Sequence, residues 1–502
     1  MTTTSDTAYS RLESRFRRLF TLREAAAMLQ WDGAALMPSG GAAARGDQLA
    51  TLKLVCHEIL TDPGLSDLLD EAAGQNDLDV WQRANLREMR RQWLHATAVP
   101  GDLVEAASLA ASNCEQIWRQ ARPASDFAMV RPALQVVLDR TREVAAAKAA
   151  RLGSSPYEAL MDEYEPDATT ASVDRLFDDL AGFLPGLIEK VLAHQAAPPV
   201  PREPAGPFPV DRQRAAGIRL MERLGFEFDY GRLDVSLHPF CGGTPDDVRI
   251  TTRYDESDFR GALMGVLHET GHALYERGLP LAWRRQPVGD ARGMAIHESQ
   301  SLLVEMQACR SPEFTRYLAP VLREIFGTNG PEWEADNLYR LNTRVARGFI
   351  RVDADEVTYP AHVILRYRLE RAMIDGDLAL VDLPAAWNDG MKELLGIAPL
   401  DDCLGCLQDI HWYDGAFGYF PTYTLGAMTA AQLFAAAKRA DPTILPGLAE
   451  GNFAPLLAWL RTNIHSKGSL LSTADLVKQA TGSALDARIY ERHLETRYLG
   501  PA

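Results

Sequence analysis

The sequence has no charge-free apolar run of about 18 residues, the length a membrane-crossing helix requires. Its opening stretch, MTTTSDTAYSRLESRF, lacks the basic segment and following apolar stretch of a secretory leader. Membrane and secreted classes are thereby set aside, and a cytoplasmic chain is expected. Basic charge is in deficit, with 52 Lys and Arg against 68 Asp and Glu and a formal net charge of -16. Phosphate binding needs a basic surface, so nucleic acid is excluded as the expected partner. Cysteine is sparse: Cys56, Cys114, Cys241, Cys309, Cys403 and Cys406 are scattered through the chain. Without an export signal they are expected as free thiols. Cys403 and Cys406 form a lone C-x-x-C, with no second pair for a zinc ribbon and no βαβ frame for redox chemistry. They are read as structural. No internal repeat at periods of about 20 to 50 residues is present.

What is there is a helical chain of 502 residues, long enough for a large core. From residue 8 to about 195, apolar residues recur at three and four, as in Leu176, Phe177, Leu180, Phe183, Leu184 and Leu187. The stretch AAPPVPREPAGPFP, residues 196–209, breaks this pattern and is read as a surface loop rather than a domain linker. Short alternating runs such as Arg249-Ile250-Thr251-Thr252-Arg253 predict a small antiparallel sheet between about residues 227 and 255. Helices resume at Phe259. The expected fold is mostly α, a single domain over residues 1–502, with a helical part to 195 and a catalytic part from 210.

The segment ALMGVLHETGHALYERG contains His268-Glu269-Thr270-Gly271-His272. Two histidines four apart project from one helical face, so their ring nitrogens can share an ion at about 2.0–2.1 Å. Glu269 follows the first of them and can take a proton from water beside the ion. The pattern has only three fixed positions and can arise by chance. Its flanks, Leu263, Val266, Leu267, Ala273 and Leu274, are those of a buried helix, where unpartnered histidines would be costly. A catalytic zinc needs a third protein ligand and an open position. A third histidine six residues on is ruled out, because Gly278 stands there. The preferred third ligand is Glu298 in MAIHESQSLLVEMQ, with Glu305 as competitor on nearly the same helical face. His297 points about 100° away from Glu298 on a helix and is read as a neighbour of the site, not a ligand.

Six segments in order then resemble the carboxypeptidase Taq family of metallopeptidases. They are His238-Pro239-Phe240, DVRIT (247–251), HETGH (268–272), HESQ (297–300), IRVDAD (350–355) and GCLQDIHW (405–412). The N-terminal WDGAALMPSGGAAARGDQLATL is similar to the same family's signature. The chain departs from it at VEMQACRSPEF, where many relatives carry Trp-Glu-Asn, and at Gly33 and Ala34. The resemblance implies a helical fold with a long deep groove, a homodimer, and removal of single residues from peptide C-termini with zinc or cobalt.

In such a reaction Glu269 is the expected general base. His411 and Tyr423 are candidate donors to the tetrahedral intermediate, with Asp409 as a possible partner of His411. Core packing is the alternative for the aromatic run Phe417, Tyr419, Phe420 and Tyr423. Arginine suits a free C-terminal carboxylate because its planar fork can bind both oxygens. Arg351 is the first candidate and Arg249 the second, with a salt bridge to Asp247 as the structural alternative for Arg249. Asp353, Asp355 and Glu356 are read as supporting charges. His238 either lines the groove or is structural. The competing reading is an oligopeptidase of the same ligand class that cuts internal bonds.

Overall fold

The computed structural model describes residues 7–500, so the first six residues of the stretch read for a leader lie outside it. Helix Thr170–Gln195 shows why the first part of the chain is helical. Val173, Leu176, Phe177, Leu180, Leu184, Leu187, Ile188 and Val191 are all buried along it. Their three-and-four spacing forms one apolar stripe. Thr169 starts the helix: its side chain accepts from the Ser172 backbone N–H, and the Ser172 side chain accepts from the Thr169 N–H in return. Each such leucine stabilises the fold by about 1.5–3 kcal/mol. Truncating the fully buried Leu180 to alanine would cost about 2–5 kcal/mol.

The apolar residues collect into unequal cores. Tyr9, Leu12, Phe16 and Leu19 of helix Ala8–Ala35 pack with Leu65, Leu69 and Met89 in a small N-terminal cluster. The main core draws residues from Cys114 to Tyr498. The Pro-rich stretch 196–209 crosses the surface between helices Thr170–Gln195 and Val210–Leu224. It is tied down at several points, Glu203 by its ion pair with Arg260 at 3.0 Å among them. Arg202 and Asn337 exchange hydrogen bonds of 2.8 Å each. Phe208 buries its ring against Phe259, with centroids 4.9 Å apart.

The sheet has three strands, β1 (Gly231–Val235), β2 (Phe240–Thr244) and β3 (Asp247–Thr252), in the order β1-β3-β2. It is mixed, not antiparallel throughout as the sequence pattern suggested. β2 and β3 form an antiparallel hairpin, whereas β1 runs parallel to β3. The cause is the crossing at Ser236–Pro239, which carries the chain over the end of β3. Ser236 N–H donates to Thr252 O at 3.1 Å and its hydroxyl to Thr251 Oγ1 at 2.7 Å, which pins the crossing. Val248 and Ile250 of β3 then pack with Val266 and Ala273 of helix Phe259–Gly278. The sheet thus backs the helix that carries HETGH.

That helix, the HETGH helix, meets helix Gly293–Leu302, the HESQ helix, at very close range. A Cβ at Gly271 would lie 2.6 Å from Gln300 O and from Ser301 Cα. On the other side, a Cβ at Gly426 of helix Pro421–Ala440 would lie 2.9 Å from Glu298 Cβ. Two glycines therefore seat the HESQ helix between its neighbours. Beyond Leu302 the helix widens into a π-helical turn, Leu303–Cys309. Such turns recur at functional sites because they re-aim side chains. All six cysteines are free thiols. Among the described residues, no helix is long and apolar enough to cross a membrane.

Candidate metal centre

Asp258 starts the HETGH helix by accepting from Arg260 N–H at 2.9 Å. Ten and fourteen residues on, His268 and His272 stand one turn apart, with ring centroids 5.0 Å apart. The HESQ helix brings Glu298 against both. Its Oε2 lies 3.5 Å from His272 Nε2 and 3.9 Å from His268 Nε2. One donor atom from each of the three residues falls within 4.8 Å of the others. Donors at about 2.0–2.1 Å from a shared tetrahedral ion lie roughly 3.4 Å apart, so this set fits a divalent cation.

The far nitrogens of both histidines are held. His268 Nδ1 is 3.0 Å from Glu305 Oε2, and Glu305 Oε1 accepts from Arg310 Nη2 at 2.7 Å. With Nδ1–H donating to Glu305, His268 in its neutral form presents a bare Nε2 to the centre. His272 Nδ1 is 2.7 Å from His297 Nδ1, and His297 Nε2 is 2.8 Å from Glu276 Oε1. One proton order satisfies this chain: His272 donates to His297, and His297 donates to Glu276. His272 Nε2 is then bare as well. The sequence presents Glu305 as a rival ligand, and the π-helical turn carries it to the outer nitrogen of His268. Glu276 and Arg310 were not singled out in the sequence. The spacing of Glu276, four residues after His272, was a usable signal.

Burial alone would lower the basicity of His268, but Glu298 and Glu305 reverse this and lift it to about 10. Burial lowers His272 to about 4 despite Glu298. Burial would raise Glu298, but His268 and His272 hold it at about 2. The pocket is rich in carboxylate and attracts positive charge. Glu269 is 7% exposed and hydrogen-bonds to no described residue. Burial, reinforced by Glu298, lifts its carboxyl to about 7. A carboxyl in that range can accept and return a proton near neutral pH.

The centre opens into a groove with a cavity of about 890 Å³, lined also by Arg351, Tyr359, Tyr419 and Tyr423. Arg351 is 6% exposed. Its Nε and Nη2 donate to Asp409 Oδ1 at 3.1 and 2.8 Å, and its guanidinium lies 4.7 Å from the Tyr423 ring centre. Asp409 Oδ2 accepts from Arg366 Nε at 2.5 Å. Gln408 joins them, accepting from Arg351 N–H at 2.9 Å and from Arg366 Nη2 at 2.7 Å. Asp409 therefore grips two arginines and makes no hydrogen bond to His411. Burial would raise the Asp409 carboxyl, but Arg366 and Arg351 hold it far below the carboxylate range. His411 Nε2 is instead 3.2 Å from the Tyr423 hydroxyl. Burial lowers His411 to about 4, so its ring is neutral.

His238 and Arg249 are not among the residues lining the groove. His238 is exposed on the crossing between β1 and β2. Arg249 is held within its own strand by Asp247, at 3.0 and 2.7 Å, and lies 4.6 Å over the Trp31 ring. Arg292 belongs to no motif in the sequence. Its guanidinium, 1% exposed, bridges Glu88 and Asp167 at 2.9 and 2.6 Å just ahead of the HESQ helix.

Two histidines a turn apart, a glutamate from a second helix and a free carboxylate beside them are the parts of a metal-dependent peptide hydrolase. The carboxypeptidase Taq (M32) metallopeptidase family matches residues 11–498. Thermostable carboxypeptidase 1 of Thermus thermophilus is 38% identical over 99% of this chain and 99% of that protein. The protein of the same name from Pyrococcus furiosus is 36% identical over 97% of each. Among solved structures, Trypanosoma cruzi metallocarboxypeptidase 1 superposes with a TM-score of 0.96 at 42% identity, over 98% of this chain and 99% of that one. The chain belongs to the carboxypeptidase Taq (M32) family and is a metal-dependent carboxypeptidase.

Proposed function

We propose that the chain, as one domain over residues 1–502, removes single residues from the free C-termini of peptides at a zinc ion held by His268, His272 and Glu298. One observation carries this reading: three donor atoms converge within 4.8 Å beside Glu269, a carboxylate with no hydrogen-bond partner among the described residues. Zinc, or cobalt in its stead, would polarise the scissile carbonyl and make a water more acidic. Glu269 takes the proton of the attacking water and returns it to the leaving amine. Glu305 and His297 hold the two imidazoles with Nε2 inward.

Arg351 receives the C-terminal carboxylate. Asp409 engages Nε and Nη2, which leaves the Nη1 edge without a carboxylate for the substrate to meet. Asp409 and Gln408 fix the fork before substrate arrives. Tyr423 donates its hydroxyl to the oxygen that becomes anionic. Neutral His411, donating from Nε2 to the Tyr423 oxygen, leaves the phenol hydrogen free for that task. The six free thiols support action in the cytoplasm, and the family resemblance supports a homodimer. The test is Glu269→Gln. It should keep its metal by elemental analysis and lose about 10²–10⁴-fold in peptide hydrolysis. Full activity with metal retained would remove Glu269 from the base role.

A further inference from the structure

Behind the HESQ helix lies a second cavity, of about 230 Å³. Ala295 lines it, whereas Met294, His297 and Glu298 line the metal groove. The two spaces therefore lie on different faces of one helix. Leu176, Leu425, Val477 and Leu485 give the second cavity an apolar wall. Its size falls below the roughly 300–1,000 Å³ of sites for drug-sized ligands and suits one small molecule.

Seven polar residues also line it, Glu165, Thr429 and Arg175 together with Asp167, which pairs with Arg292, and Ser172, Ser472 and Thr473. Glu165 is 2% exposed. Its Oε2 accepts from Ala295 N–H at 2.9 Å and its Oε1 from the Thr473 hydroxyl. Two carboxylate oxygens offer about four acceptor sites, so Glu165 has capacity left for further donors. Burial lifts its carboxyl to about 7, and a bound cation would offset that burial. Thr429 is 1% exposed and lines the cavity, yet its hydroxyl bonds to no described residue. That hydroxyl is open to a hydrogen bond with a group in the cavity. Arg175 lines the cavity from an exposed position and forms no ion pair with any described residue.

We propose that this cavity is a second binding site, for a free α-amino acid with an apolar side chain. The ammonium group meets Glu165, the carboxylate meets Arg175, and the side chain lies on the leucine wall. Thr429 supplies a further hydrogen bond to the ligand's polar end. A simple amine would use only one pole of the site, and so would a simple carboxylate. The choice of amino acids among small zwitterions rests on the carboxypeptidase reading, since that reaction releases them. The binding itself does not require turnover.

The test is equilibrium dialysis of radiolabelled L-leucine against the metal-loaded protein. A site is expected whose affinity drops at least tenfold in Arg175→Gln and in the cavity-filling Leu485→Trp, with peptide hydrolysis unchanged in both. L-leucinamide, which lacks the carboxylate, should bind at least tenfold more weakly than leucine to the unsubstituted protein and equally to Arg175→Gln. Leucine binding that neither substitution moves would overturn the proposal, as would no binding outside the metal groove. Arg175-sensitive binding in a protein that hydrolyses no peptide would support this site while ending the carboxypeptidase reading. Hydrolysis without such binding would do the reverse.

Discussion

Replacing Glu305 by alanine removes the oxygen that fixes the His268 ring. Glu305 Oε2 is 3.0 Å from His268 Nδ1, and its Oε1 is 2.7 Å from Arg310 Nη2. The change frees His268 to rotate or shift tautomer and leaves the Arg310 guanidinium without its carboxylate. Losing the outer partner of a metal-bound histidine costs about 10–100-fold in metal affinity. That corresponds to about 1.4–2.7 kcal/mol. Glu298→Ala is different in kind, because it deletes one of three donors. Its loss must exceed that of Glu305→Ala. Glu305→Gln keeps an acceptor oxygen but not the charge, so it should fall between Glu305→Ala and the unsubstituted protein. The assay is competition for zinc against a chromophoric chelator of known affinity, with elemental analysis of each variant. If Glu305→Ala loses more metal than Glu298→Ala, Glu305 is the ligand. If Glu305→Ala binds zinc like the unsubstituted protein, the orienting role is wrong.

Arg351→Gln should lower kcat/KM for peptides with free C-termini by about 10–150-fold, the worth of a charge-assisted hydrogen bond of about 1.5–3 kcal/mol. Most of that should appear in KM, read from initial rates; an unchanged KM would free Arg351 of the carboxylate. Gly271→Val should force the HETGH and HESQ helices apart, since even a Cβ would lie 2.6 Å from Gln300 O. Overpacking of about 1–3 kcal/mol is expected, with loss of bound metal, by thermal unfolding and elemental analysis. Glu370 predicts a pH effect on stability. Burial lifts its carboxyl to about 7 despite hydrogen bonds from Tyr157, Trp412 and Gly418, against 4.5 as the ordinary value. The folded chain keeps a proton that the unfolded chain releases, so this contribution is full below 4.5 and lost as pH rises through 7. Its size is about 3 kcal/mol. Tm of the unsubstituted protein relative to Glu370→Gln should fall between about pH 5 and pH 8; a constant difference would contradict the assignment.

The helices and the pairing of His268 with His272 were legible because each rests on local spacing. His268 and His272 need only the helical period, and Val173 to Val191 show the stripe at once. The mixed sheet was not legible. Strand alternation reports which face is buried, not which neighbour a strand pairs with, and here the crossing at Ser236–Pro239 decides it. The close helix packing at Gly271 and Gly426 was also hidden, since a glycine within a helix announces no partner. Asp409 stands two residues from His411 in the chain. Folding turns it to Arg351 and Arg366, which lie on segments about 40 to 60 residues earlier in sequence. Charge pairing over such separations is set by the fold rather than by adjacency.

The central claim is that a metal centre in this groove cleaves only next to a free C-terminal carboxylate. The direct measurement is a mass-spectrometric time course on one peptide, offered with a free and with an amidated C-terminus. The account predicts a ladder of products shortened by single residues from the free form, no cleavage of the amide, and no ladder from Glu269→Gln. Cleavage of both forms at the same internal bond would contradict it.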